Sequence, residues 1–196
     1  MRMVVCSTLA LFIGTGAVLA FPTEEVPTSE PAYLAKVKTA APEQIVAQAS
    51  IVMMQDGKPR SIQIGTNGFT CLISPDGTPL CADENGMAWW KAVGSKSDPP
   101  NKNGFIYMLA GDTGTSNHDP YQRASHQHWV QTGPHVMVVG PTVREMVGYP
   151  RNADVADPTQ PYVMFPGTPY EHLMLPTTAT KQLVWPTEPS LQLPIR

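Results

Sequence analysis

Five histidines carry most of the chemistry available to this chain, and all lie in its second half: His118, His126, His128, His135 and His172. Imidazole is a ready ligand for transition metals and the side chain that changes charge nearest neutral pH. His135 and His172 each open a short apolar run, and each is followed two residues later by a methionine, Met137 or Met174. That spacing puts both side chains on one face of a strand. Imidazole with thioether is a soft set suited to copper, and imidazole also suits zinc. The sequence therefore offers His135 and His172, with Met137 and Met174 behind them, as a copper or zinc site. The competing reading is core filling, which methionine does well; Met164 stands in a similar run without a histidine. His126 and His128 alternate around Gln127 and read either as a ligand pair or as a polar loop that happens to hold two histidines.

Oxygen donors crowd one stretch, with Asp112, Thr113, Thr115, Ser116, Asn117 and Asp119 in eight residues. Calcium accepts such donors, although the spacing matches no EF-hand, and the same residues serve turn chemistry through their own backbone hydrogen bonds. An acid and base pair can be assembled from Asp119, His135, Glu171 and His172 if the fold brings them together. The chain has no GxSxG elbow, no HExxH and no phosphate-binding glycine loop.

The elements that would position these groups follow from the hydrophobic pattern. Short apolar runs at 51–54, 61–64 and 69–74 end at Asp56-Gly57, Asn67-Gly68 and Pro75-Asp76-Gly77, which predicts an antiparallel meander. Asp83 is placed to cap a helix over 84–93, with Met87, Trp90 and Val93 recurring three apart and Gly94 ready to end it. Residues 105–110, 136–139, 162–165 and 173–175 read as further strands, and 141–147 as a short helix after Pro141. Residues 111–133 show no periodicity, and a loop of that length in a compact domain is usually functional or mobile. The expected class is α+β, strand-dominant, a single domain over 43–176 with an antiparallel sheet, one main helix and one short one. Residues 21–42, rich in Pro, Thr and Glu, read as an arm or tether, and 177–196 as a proline-rich tail.

Met1-Arg2-Met3 precedes an uncharged, small and apolar run from Val4 to Ala20, the pattern of a secretory signal cleaved after about Ala20. An uncleaved anchor is the alternative, and Gly14 and Gly16 weaken it as a permanent helix. No second apolar stretch approaches membrane-spanning length, so no permanent span is expected after cleavage. Loss of Arg2 leaves 12 basic against 16 acidic residues, with no basic cluster to bind nucleic acid. Two cysteines then remain, Cys71 and Cys81, five residues either side of Asp76. A hairpin would set them opposite one another in an oxidising compartment, periplasmic or extracellular, where such a pair forms a disulfide.

The segments GTNGFTC (65–71), GPHVM (133–137) and PYVMFPGTPYEHLML (161–175) together resemble an uncharacterised family of small exported bacterial proteins. The resemblance covers most of residues 45–176 and implies export and a shared fold, without an activity. It also implies an Asn and an Asp two apart where Asn117 and Asp119 stand.

The functional expectation is an exported module that binds a small ligand or a metal ion. Its pocket is expected between the 111–133 loop and the strand ends bearing His135 and His172, with Asn117 and Asp119 as further candidates. The alternatives are a metal-dependent or acid and base hydrolase using His135, His172 and Asp119, and a structural envelope protein without a site.

Overall fold

A computed structural model describes residues 25–55, 57–121 and 128–177 of the chain. The expected signal segment, His126 and all but the first residue of the expected tail lie outside the described residues. In chain order the strands are β1 (Ser50–Gln55), β2 (Lys58–Gln63), β3 (Thr70–Ile73), β4 (Pro79–Ala82), β5 (Gly104–Met108), β6 (Thr115–Ser116), β7 (Trp129–Val130), β8 (His135–Val139), β9 (Tyr162–Met164) and β10 (His172–Pro176). The helices are α1 (Glu30–Val37), α2 (Glu43–Val46) and α3 (Glu84–Ser95), with 3-10 turns at Pro141–Glu145 and Ala153–Val155. The fold is a strand-dominant, single-domain α+β structure. One sheet of eight strands runs in the order β2-β1-β3-β4-β5-β8-β10-β9, and β6 and β7 form a separate two-stranded ladder inside the 111–133 loop.

The sheet is mixed, not the antiparallel meander expected. β1 pairs β2 antiparallel but pairs β3 in parallel, so β3 lies beside β1 and not beside β2. The Asn67-Gly68 turn is therefore not a hairpin. It carries the chain back across the start of β1, with Thr66 and Asn67 donating their N–H groups to Gln48 O and the Asn67 amide donating to Ile45 O at 2.8 Å. Gly65 is required there, because a Cβ would lie 2.1 Å from Ser50 N. The Pro75-Asp76-Gly77 turn did form its hairpin. Cys71 sits opposite Cys81 between β3 and β4, and the two form a disulfide with Cα atoms 4.0 Å apart.

Alternation along the strands divides the interior into two layers. Leu80, Ala82, Ile106, Met108, Met137, Val139, Tyr162, Met164 and Met174 pack with Met87 and Trp89 of α3 on one face. On the other face Cys71, Ile73, Cys81, Ile51 and Met53 pack with Tyr33 and Val37 of α1, and Val138, Val163 and Leu173 pack with Val143 of the first 3-10 turn. Strands β4 and β8 are buried along nearly their whole length on both faces, in keeping with the apolar run read at 136–139 and the apolar Pro79–Ala82. At the β2 edge, Lys58, Pro59 and Arg60 are exposed, residues that discourage a further strand from adding.

Two boundaries differ from expectation for identifiable reasons. Residues expected as an arm join the core from Glu30 onward. Their few large apolar groups fall on one face, and the Tyr33 hydroxyl donates to Val52 O at 2.7 Å while accepting from Ile73 N at 2.8 Å. Helix α3 begins where Asp83 caps it, its carboxylate accepting from Gly86 N at 2.7 Å, but runs past Gly94 to a left-handed Lys96. The Tyr121 hydroxyl, brought from the long loop, donates to Val93 O at 2.7 Å and so satisfies a carbonyl of the last turn. The start of α3 lies directly on β5, since a Cβ on Gly104 would be 2.2 Å from Gly86 N. The expected helix at 141–147 is a five-residue 3-10 turn ending at Glu145.

Candidate functional site

His135 and His172 lie on the α3-covered face of adjacent strands, and both line one cavity of about 450 Å3. Its apolar wall includes Met108, Met137, Met164, Met174 and Phe165 from the sheet side and Trp89, Trp90 and Val93 from α3. Asp112, Gly114, Thr115, Pro120 and Tyr121 of the long loop close it, and Asp76 reaches it from the β3–β4 turn. The register sets His135 opposite Pro176 and His172 opposite Val139, four ladder steps or roughly 13 Å apart between Cα positions. The histidines thus stand toward opposite ends of a wall whose middle is the directly paired Met137 and Met174. The expected two-residue pairing of each histidine with a methionine on one face is present. The same four methionines also belong to the packed core layer.

Both imidazoles are fixed in the same tautomer. His135 Nδ1 is 2.7 Å from Gly133 O, and His172 Nδ1 is 2.9 Å from Tyr170 O. A carbonyl only accepts, so each Nδ1 carries the proton and each Nε2 presents a lone pair. Burial holds both rings neutral: it pushes His135 below its ordinary value and His172 down to about 4, with nearby His135 adding to the second effect. His135 Nε2 is buried and has no hydrogen-bond partner among the described residues, and Asp112 Oδ2 lies 3.9 Å from it.

Two carboxylates share this end of the cavity and have been driven apart in acidity. Burial pushes Asp112 up to about 6, aided by the charge of Asp76 and opposed by N–H groups of Thr132 and Gly114 that donate to it at 3.0 and 2.8 Å. Burial also raises Asp76. Hydrogen bonds from Ser74, from Thr78 N at 3.2 Å and from Thr113 Oγ1 at 3.0 Å outweigh it and hold that carboxyl below the usual range.

The other candidates are placed elsewhere. Asn117 is fully buried but lines no part of the cavity; its amide donates to Ala153 O at 3.1 Å and its main chain joins three segments. Asp119 accepts from Tyr121 N at 2.8 Å, the turn chemistry its residue type favours, and is not on the cavity wall. Glu171, the fourth acid and base candidate, is paired with Arg151 and accepts from Gly167 N at 2.7 Å. His118 and His128 come together with Asp154 away from the cavity, their ring centroids 4.1 Å apart. A smaller cleft of about 300 Å3, lined by Pro99, Pro100, Pro141 and Arg144, holds neither buried histidine.

Asp112, expected only as one oxygen donor of the long loop, and Asp76, expected only as a turn residue, both line the cavity; each sits beside glycine in a turn, where aspartate needs no further explanation. Trp90 and Val93 were expected on the packed face of α3. Met87, Trp89 and Ala92 are fully buried, while Trp90 and Val93 pack against the same core cluster half-buried and, with Trp89, line the cavity.

Among the described residues no helix is long and apolar enough to cross a membrane. Set against protein-family models, curated proteins and solved structures, the chain matches none.

Proposed function

We propose that this is an exported binding module for a small, largely apolar ligand that carries hydrogen-bond donors. The observation that carries the reading is the unbalanced polarity of the cavity. Its fixed polar groups are mainly acceptors, namely the Nε2 lone pair of His135, that of His172, and the carboxylates of Asp112 and Asp76, set against one buried donor without a partner among the described residues, the indole N–H of Trp89. Among the described residues Lys96 is the one cationic side chain on the wall, and it lies 4.8 Å from the Tyr121 ring centroid, facing an aromatic partner of its own. A ligand with an amine or ammonium group supplies what these acceptors lack, while the methionines and indoles match an apolar body. The volume falls within the range of ordinary small-molecule sites. Export is supported by the disulfide and by the uncharged run after Arg2.

Trp89 and Trp90 line the cavity and make it readable by fluorescence. Titration with phenethylamine and, separately, with phenylacetate tests the reading with matched apolar bodies of opposite charge. The amine should perturb the emission saturably, and the acid should not. Equal response to both, or response to neither, counts against the donor-bearing ligand class. Intact-mass measurement on natively produced protein tests export, which predicts loss of residues 1–20 and two hydrogens fewer than the dithiol.

A further inference from the structure

We propose that His118, His128 and Asp154 form a second site, for one divalent transition cation of the zinc class. His118 Nε2 lies 2.7 Å and His128 Nδ1 3.0 Å from the same oxygen, Asp154 Oδ1. All three ligand atoms fall within 4.8 Å of one another. Tetrahedral bonds of about 2.0 to 2.1 Å place neighbouring ligand atoms roughly 3.3 Å apart, so this spacing brackets what one zinc ion needs. Two imidazoles and a carboxylate are a borderline set that favours zinc-like ions over calcium or magnesium. The side chains are 41%, 34% and 55% exposed, which leaves a coordination position open to solvent.

The ligands come from segments up to 36 residues apart, yet one buried residue holds them together. Asn117 N donates to His128 O at 2.9 Å, its side-chain amide donates to Ala153 O at 3.1 Å, and its carbonyl accepts from Phe165 N at 3.0 Å. Its neighbours in sequence or its direct partners are therefore His118, His128 and the residue before Asp154. Asp154 is further fixed by its N–H, which donates to Asn152 Oδ1 at 3.0 Å. His128 is held in left-handed backbone at φ 59°. Such a conformation persists in a non-glycine residue where surroundings over-determine it, and it recurs at ligand clamps. Preorganised ligands with an open position distinguish this cluster from a surface ion pair of two mobile side chains.

Isothermal titration of untagged, chelator-treated protein with zinc chloride should show one equivalent bound, and titration with calcium chloride none. His118→Gln and Asp154→Asn should each weaken zinc binding at least tenfold. Because both positions are exposed, thermal melts in chelator should match the parent and exclude a folding defect. Bound cobalt should show visible ligand-field absorption that disappears in both variants. Absence of zinc binding, equal binding of calcium, or unchanged zinc affinity in both variants would overturn the assignment, the last by placing the ion elsewhere.

Discussion

Asp112 Oδ2 and His135 Nε2 face each other across 3.9 Å as two acceptors with no donor between them. The His135 proton is committed to Gly133 O, so the pair forms a hydrogen bond only when a proton or a ligand donor arrives. The acid on the other side titrates near 6, inside the range of mildly acidic surroundings.

Asp112 therefore costs the fold stability when ionised. Its folded pKa lies above that of an unfolded aspartate, so the folded state binds more protons between about 4 and 6 and stability falls as pH rises through that window. Asp112→Asn keeps an acceptor for Gly114 N and Thr132 N and removes the charge. It should stabilise the protein by roughly 2 to 3 kcal/mol at pH 8 and by little at pH 4, measured by urea denaturation at both pH values.

His172 has the opposite sign. Its pKa is depressed from 6.5 to about 4, so the unfolded chain binds the extra proton, and stability is lost as pH falls through that interval. The full loss is roughly 3 kcal/mol. His135 acts in the same direction. In Asp112→Asn the acid loss should steepen because the opposing group is gone, whereas His172→Gln should flatten it. A parallel pH profile in all three proteins would contradict both assignments.

The Cys71–Cys81 bond closes a short loop inside a formed hairpin. The Cys71→Ala, Cys81→Ala double variant should lose about 3 kcal/mol, read as a lowered melting temperature, with its circular dichroism spectrum retained.

Tyr33 fastens α1 to the sheet by a hydroxyl that both donates and accepts. Tyr33→Phe strands the buried Ile73 N–H and should cost about 1 to 3 kcal/mol by denaturant midpoint. An unchanged midpoint would mean that the hydroxyl bridge between Val52 O and Ile73 N contributes nothing net to stability.

Arg151 ties the Pro141–Glu145 turn to the start of β10, donating to Met146 O at 2.8 Å and pairing with buried Glu171. Arg151→Met leaves that carboxylate without its cation and should cost about 3 to 5 kcal/mol. Arg151→Met with Glu171→Gln should recover part of the loss in a double-mutant comparison.

The sequence by itself determined what depends on neighbours along the chain. Pro75-Asp76-Gly77 set Cys71 against Cys81 because a hairpin's register follows from its turn, Asp83 started α3, and period-two alternation put His135 with Met137 and His172 with Met174 on one face. The strand-dominant α+β class followed from the same local signals. What only tertiary structure decided were relations between segments distant in the chain. Asn67-Gly68 looks the same in a hairpin as in a crossover, and only the groups waiting at Gln48 and Ile45 make it the latter. Tyr33 reads as part of a polar arm until Val52 and Ile73 supply its partners. Asp112 reads only as one oxygen donor among several and Asp154 carries no local mark, because acidity and ligation depend on what the fold buries or brings beside a carboxylate, and that information lies outside any short window of residues.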